Sequence, residues 1–435
     1  MFIAPALAAM GPFAPGIESL FAFRLLALML LLSQVFMAIR RPRSAARQMT
    51  VLLAITWAAA TICALIFLGP VSTGWGELLS LATGLALLIA IALLPEPLSY
   101  AKTLLAGWLV GYLIVSAIAL VELATGRSIS SQVALELALE GWGVSATFFN
   151  PNNYATFLLY SFLALFMLWR CAERALVRLL SLASLISVPA FMMLTNSRTG
   201  VLLVCVLIVA AALRLLRARP VLASLLAIAI LILAAILVNS VAKSPFDEFA
   251  NYLGGSSFAI HVLGFEVRVD SSTYVRWELI LAGIALAATS PLFGAGPGAF
   301  EAFMRSGGAG YHTLGIQSPH NGVIEVVSQY GVLVLVALVL WFVTILRVTR
   351  SSKRSTHDLL ASGWFALRAA VILLPLIVTM HSSAIDPSTT WLFLGLLLCV
   401  ARAAEGTVSE DRGARRSANQ ELNQRVPARR RTGLA

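Results

Sequence analysis

Long, unbroken apolar runs recur along the chain and decide its fold class. Several are about 18 residues or more, enough to cross a hydrocarbon layer of roughly 30 Å. Inside lipid every backbone N–H and C=O must find an internal partner, so a spanning chain is either helical or a closed barrel. The runs are continuous rather than alternating, which selects helices. Composition agrees: the 435 residues are 59% hydrophobic and 12% charged, with mean hydropathy +0.89. That is too little charge for the surface of a soluble protein. The expected fold is therefore an all-α polytopic membrane protein with about 11–12 transmembrane helices. Spans are predicted near 17–38, 50–69, 76–94, 103–122, 154–170, 178–194, 200–216, 220–239, 331–349, 361–380 and 389–403.

The formal net charge of +11 would suit a nucleic-acid partner, but its distribution reads as a topology signal. Basic clusters flank the runs at Arg40, Arg41, Arg43 and Arg47, at Lys102, and at Arg170, Arg174 and Arg178. Others lie at Arg214, Arg217 and Arg219, and at Arg347, Arg350, Lys353 and Arg354. Putting every cluster in the cytoplasm gives one consistent alternation, with the N-terminus outside and the C-terminus inside. The opening residues lack a basic n-region, so no cleaved signal peptide is read there. Cys63, Cys171, Cys205 and Cys399 fall inside apolar runs without metal-type spacing and read as packed thiols.

One apolar segment, 277–293 ("WELILAGIALAATSPLF"), does not fit as a crossing, because it would put Arg347 to Arg354 outside. It is read as a helix on or dipping into the outer face, within an exterior region over 241–328. A true crossing with a compensating extra span is the alternative. The division is then a membrane domain over 1–404 and a basic tail over 405–435. The tail is expected to be disordered, cytoplasmic and close to anionic lipid headgroups.

With this topology four polar groupings converge on the outer face: "FFNPNNYA" (148–155), "TNSRTG" (195–200), "YVRWELILAG" (274–283) and "SPHNGVIEVVSQYG" (318–331). The loop "HSSAIDPSTTW" adds His381 and Asp386. Arg198 lies in a turn too short to carry it far from the membrane. It is either a snorkelling residue bonding helix-end carbonyls or a guanidinium whose planar fork grips phosphate. Arg276, on the same face, favours the second reading. His320 is either a packed, capping histidine or a general base able to take a proton from an attacking sugar hydroxyl. Asn321 caps the following helix or orients the ring. Glu325, four residues on, shares its helical face and orients a partner or forms a polar pair. "FNPNN", with Asn150, Asn152 and Asn153, suits a turn or a substrate contact, and Ser197 belongs to the same set of candidates. "PLFGAGPGAF" (291–300) is not a nucleotide loop, since no βαβ unit surrounds it. Its glycines and prolines end the surface helix and allow close backbone approach. Arg24, inside the first span, is of a kind that usually faces protein or water, as a structural or a site residue.

The order of these motifs resembles the O-antigen ligase/polymerase family of bacterial integral membrane glycosyltransferases, over roughly 145–345. The resemblance implies a GT-C-like, metal-independent, inverting enzyme. It would take a glycan on polyprenyl pyrophosphate and transfer it to a glycan or lipid-glycan acceptor at the outer face of the bacterial cytoplasmic membrane. That chemistry serves surface polysaccharide synthesis (O-antigen, capsule or teichuronic type). Carried over by motif, Arg198 and Arg276 hold the pyrophosphate and His320 activates the acceptor; Asn150, Asn152, Asn153, Ser197, Asn321 and Glu325 line the substrate. No cofactor, metal or nucleic acid is expected; the partners are donor, acceptor and bilayer. The odd number of spans departs from the family's usual twelve. Motifs do not separate polymerase from ligase. A polysaccharide or small-solute transporter or flippase is the alternative, distinguished by flipping or uptake without a new glycosidic bond; a non-catalytic scaffold would tolerate loss of all three cationic or basic residues.

Overall fold

The computed structural model describes residues 1–13, 16–17, 20–35, 44–69, 74–128, 143–216, 221, 225, 228, 258–262, 265–269, 271–307, 310–313, 315–350, 358–377, 379–380 and 382–425. The chain opens with α1 (Ala4–Met10) and a small hairpin, β1 (Gly16–Ile17) and β2 (Leu20–Phe21). There follow α2 (Ala22–Val35), α3 (Ala45–Leu68), α4 (Gly74–Ala92) and α5 (Pro97–Thr125). Next come α6 (Pro151–Cys171), α7 (Ala175–Leu194) and α8 (Arg198–Leu216). A second antiparallel hairpin, β3 (Phe258–Val262) and β4 (Phe265–Val269), leads into α9 (Ser271–Thr289). The chain finishes with α10 (Ala299–Arg305), α11 (Gly322–Val348), α12 (Asp358–Ile377) and α13 (Ser388–Arg425).

Among the described residues, eight helices are long and apolar enough to span a membrane: α3 to α8, α11, and α13 over Ser388–Gly406. The protein is thus an all-α polytopic membrane protein. Ten of the eleven predicted spans coincide with helices; most of the other, 220–239, lies outside the described residues. Two of the ten, α2 and Leu359–Leu374 within α12, form shorter apolar helices than a full crossing needs. The segment 277–293 is helical to Thr289 as α9, which is not among the eight.

Two features differ from expectation. The stretch 241–328 carries the β3–β4 hairpin, where no strand was foreseen. The basic tail, expected to be disordered from 405, continues α13 as far as Arg425. Extending an established helix avoids the nucleation penalty, so a polar, Ala- and Arg-containing sequence that could not start a helix can prolong one.

Helix ends follow local chemistry. Ser44, Asn150 and Asn321 cap α3, α6 and α11 by accepting backbone N–H groups of the first turn. Pro97 and Pro151 stand at the first helical position, where no N–H is needed. Helix α6 is apolar on all sides and buried from Tyr154 to Trp169, so it is the central post of the bundle. Outer helices keep Ile55, Ile62, Ile66, Leu176 and Ile186 exposed, as a lipid-facing surface requires.

The bundle has two distinct ends. At one, Lys102 pairs with Glu173 at 2.9 Å, Arg214 donates to the Ala361 carbonyl, and Arg402 donates to the Ile91 carbonyl. Glu405 there accepts from the backbone N–H groups of Ala45 and Ala46. The other end gathers the starts of α4, α6, α8, α11 and α13.

Helix α11 is broken at Gly331, where φ is 80° and ψ is 173°. Residues 291–296 fill the break. The N–H groups of Ala295 and Gly296 donate to the carbonyls of Ser328 and Gln329, and the Val332 N–H donates to the Pro291 carbonyl. This pairing needs backbones in contact. A Cβ on Gly331 would lie 2.2 Å from the Leu292 oxygen, and one on Gly294 would lie 2.2 Å from the Gln329 carbonyl carbon. The close approach expected of "PLFGAGPGAF" is thus realised as a zipper against α11. Gly331→Ala is expected to destabilise the folded protein by at least about 1–3 kcal/mol, from the glycine-only backbone alone. Thermal unfolding in detergent measures it; an unchanged midpoint would contradict the zipper.

Candidate functional site

The polar end of the bundle is tied together around residues 382–386. Asn153, in the first turn of α6, exchanges hydrogen bonds with Ser382: its Nδ2 donates to Oγ at 3.1 Å and its Oδ1 accepts from the backbone N–H at 3.2 Å. The His320 backbone N–H donates to the Ser382 carbonyl at 3.2 Å. Glu325, buried in the first turn of α11, accepts from Ser383 Oγ and from the Ala384 N–H at 2.6 Å. The starts of α6 and α11 are therefore locked to one short connection.

His320 itself is held with φ at +46°, a left-handed conformation uncommon for a residue with a side chain. Such strain persists only where the surroundings enforce it; here Pro319, the Ser382 bond and the Asn321 cap do so. The ring is half-buried. Burial, and secondarily the nearby Arg276 guanidinium, push its pKa down to about 4, so the imidazole is neutral and free to accept a proton at neutral pH. Arg276 is half-buried on α9, one residue past the buried Val275 that anchors that face.

Arg198 is exposed as the first residue of α8. Its turn is seated at the same end: a Cβ on Gly200 would meet Met192, Met380 and Ala155 within 3.2 Å. Ser197 is buried, its Oγ accepting from the Gly200 N–H, and so acts as a cap. Asn150 and Asn321 spend their side-chain oxygens on caps, the first accepting from the Asn152 N–H at 2.7 Å and the second from Val323 and Ile324. Asn152 is half-buried beside them. Of the acceptor oxygens named in advance, those of Asn150, Asn153, Ser197, Asn321 and Glu325 thus already serve the scaffold. His381 lies outside the described residues.

One participant was not foreseen, and Arg24 and Asp386 gain partners beside it. Glu77, in the first turn of α4, accepts from the Gly298 N–H at 2.9 Å, from Gln329 Nε2 at 3.0 Å and from the Tyr330 hydroxyl. Arg24 donates to Ser80 at 2.9 Å, on the same face of α4 as Glu77. Asp386 follows the buried Ile385 and faces Ser80 and Arg24. Desolvation raises its pKa against the opposing influence of Ser80 and Arg24. Nothing local in "GWGELLSL" singles out Glu77, and only the fold reveals its three partners.

The arrangement offers a neutral imidazole, cationic side chains on neighbouring helix starts and a rim of fixed carboxylates at one end of an apolar bundle. A family described as O-antigen ligase matches residues 182–339, which contain Arg198, Arg276, His320, Asn321 and Glu325 but not the 150–153 turn. No curated protein matches the chain.

Proposed function

With membership of the O-antigen ligase/polymerase family supported by the match over 182–339, and with it a membrane glycan-processing role, we propose that the protein is a metal-independent, inverting glycosyltransferase. It takes glycan from a polyprenyl-pyrophosphate donor and adds it to a sugar hydroxyl at the outer face of the bacterial cytoplasmic membrane. The acceptor oxygen attacks the anomeric carbon, and the bond to pyrophosphate breaks with its electron pair leaving on the phosphate. The hydroxyl proton passes to His320. Arg198 and Arg276 hold the pyrophosphate and offset the charge that grows on it. Asn152 and the Nδ2 group of Asn150 face the substrate; Asn153, Ser197, Asn321 and Glu325 keep the helix starts in register. The observation that carries this reading is His320: strained, neutral and under the influence of Arg276. The outer-face assignment rests on the basic residues gathered at the bundle's opposite end.

The test in cells is the chain length of surface polysaccharide after deletion of the gene. Single-unit glycans are expected for a polymerase and full-length unattached chains for a ligase; an unaltered polysaccharide would contradict both.

A pH effect follows. Activity needs the neutral imidazole, so it is present above the His320 pKa and lost as pH falls through it. For the free enzyme, kcat/KM for the donor should keep its acid limb near pH 4. A bound pyrophosphate offsets the Arg276 charge, so the acid limb of kcat should lie higher. Coincident limbs would separate His320 from the donor site.

A further inference from the structure

Glu77 lies one turn into α4, far in sequence from every residue assigned a role above, yet three elements meet on its carboxylate. One oxygen accepts from Gln329 Nε2 and the Tyr330 hydroxyl, next to the Gly331 break; the other accepts from the Gly298 N–H at the start of α10. The neighbouring backbone is equally tight, since a Cβ on Gly74 would lie 2.2 Å from the Pro297 oxygen. Three partners on two oxygens call for a group with two acceptor oxygens, which a carboxyl group has and an amide does not.

The pinned segment is the end of the unit that carries Arg276. Helix α9 runs into the 291–296 zipper and then into Gly298. It touches α11 at Gly283, where a Cβ would be 2.0 Å from Ile324 Cγ2. That contact is a fulcrum. Arg276 lies seven residues beyond it on one side, about 10 Å along the helix, and the Glu77 pin secures the other side. A small tilt at the pin therefore changes how far Arg276 stands from His320.

Resting on the transferase reading above, we infer that Glu77 is a positioning residue: by clamping Gly298 to the Gln329–Tyr330 pair it sets the distance between Arg276 and His320. The pin touches neither substrate nor imidazole in this role. Its effect travels through α9, so loosening it should disturb donor binding and the basicity of His320 together. Arg276 from α9 is the charged group that acts on that ring, lowering its pKa alongside burial; the carboxyl groups of Glu77, Glu325 and Asp386 act on one another.

The test uses full-length protein in liposomes with a lipid-pyrophosphate oligosaccharide as donor, comparing wild type, Glu77→Gln and Tyr330→Phe. Glu77→Gln sets an amide N–H against at least one existing donor. It should raise the donor KM about tenfold or more. It should also shift the acid limb of kcat/KM upward from about 4 toward the ordinary histidine value. Tyr330→Phe, which keeps the other two bonds, should move both in the same direction by less. Donor KM and acid limb both at wild-type values in folded Glu77→Gln would overturn the inference. If that variant does not fold, unchanged values in Tyr330→Phe overturn it instead. A wild-type protein that transfers no glycan would count against the transferase reading, not against the pin.

Discussion

His320→Asn is expected to lower turnover by about 10²–10⁴-fold, the usual contribution of a general base, while donor binding changes little. Asparagine is the informative replacement because position 320 sits at φ +46°. Asparagine tolerates that conformation better than alanine, so the imidazole is removed without adding backbone strain. The Ser382 carbonyl keeps its backbone donor, and the locked connection to Asn153 and Glu325 is untouched. Measured as glycan transferred per enzyme under saturating donor, near-wild-type turnover would remove His320 from the chemistry.

Loss of the arginines should act on the other half of the reaction. Arg198→Ala and Arg276→Ala each forfeit charge-assisted hydrogen bonds of about 1.5–3 kcal/mol, which is about 10- to 150-fold in donor affinity. The two should differ in pH behaviour. Arg276 lowers the His320 pKa, so its removal should carry the acid limb of kcat/KM upward from about 4. Arg198 makes no such contribution to the imidazole, and its removal should leave that limb in place. Donor titrations at several pH values read both effects. Equal acid limbs in the two variants would mean that Arg276 does not work beside the histidine.

Much of the fold was legible because lipid imposes strong rules. Continuous apolar runs predicted α3 to α8, and the basic clusters anticipated which helix ends lie together. The approach of Arg276 to His320, distant in sequence, followed from that topology once 277–293 was not counted as a crossing. Other features depend on contacts that no local pattern encodes. The predicted span at 331–349 began at the Gly331 break, because hydropathy registers the apolar stretch and not the polar first turns of α11 from Gly322. "PLFGAGPGAF" could be read as allowing close approach, but its partner could not be named. Glu77 drew no notice in the sequence, because its partners Gly298, Gln329 and Tyr330 are more than 200 residues away. Asn150 and Asn321 look alike as caps and as ligands in sequence; in the fold their oxygens are already bonded.

Product mass in proteoliposomes gives the most direct test. Given a lipid-pyrophosphate oligosaccharide and an acceptor glycan, the wild-type protein should make products heavier by whole donor units and release polyprenyl pyrophosphate, while His320→Asn should not. Donor that stays intact with wild-type protein, or moves across the bilayer with no new glycosidic bond, would contradict the account.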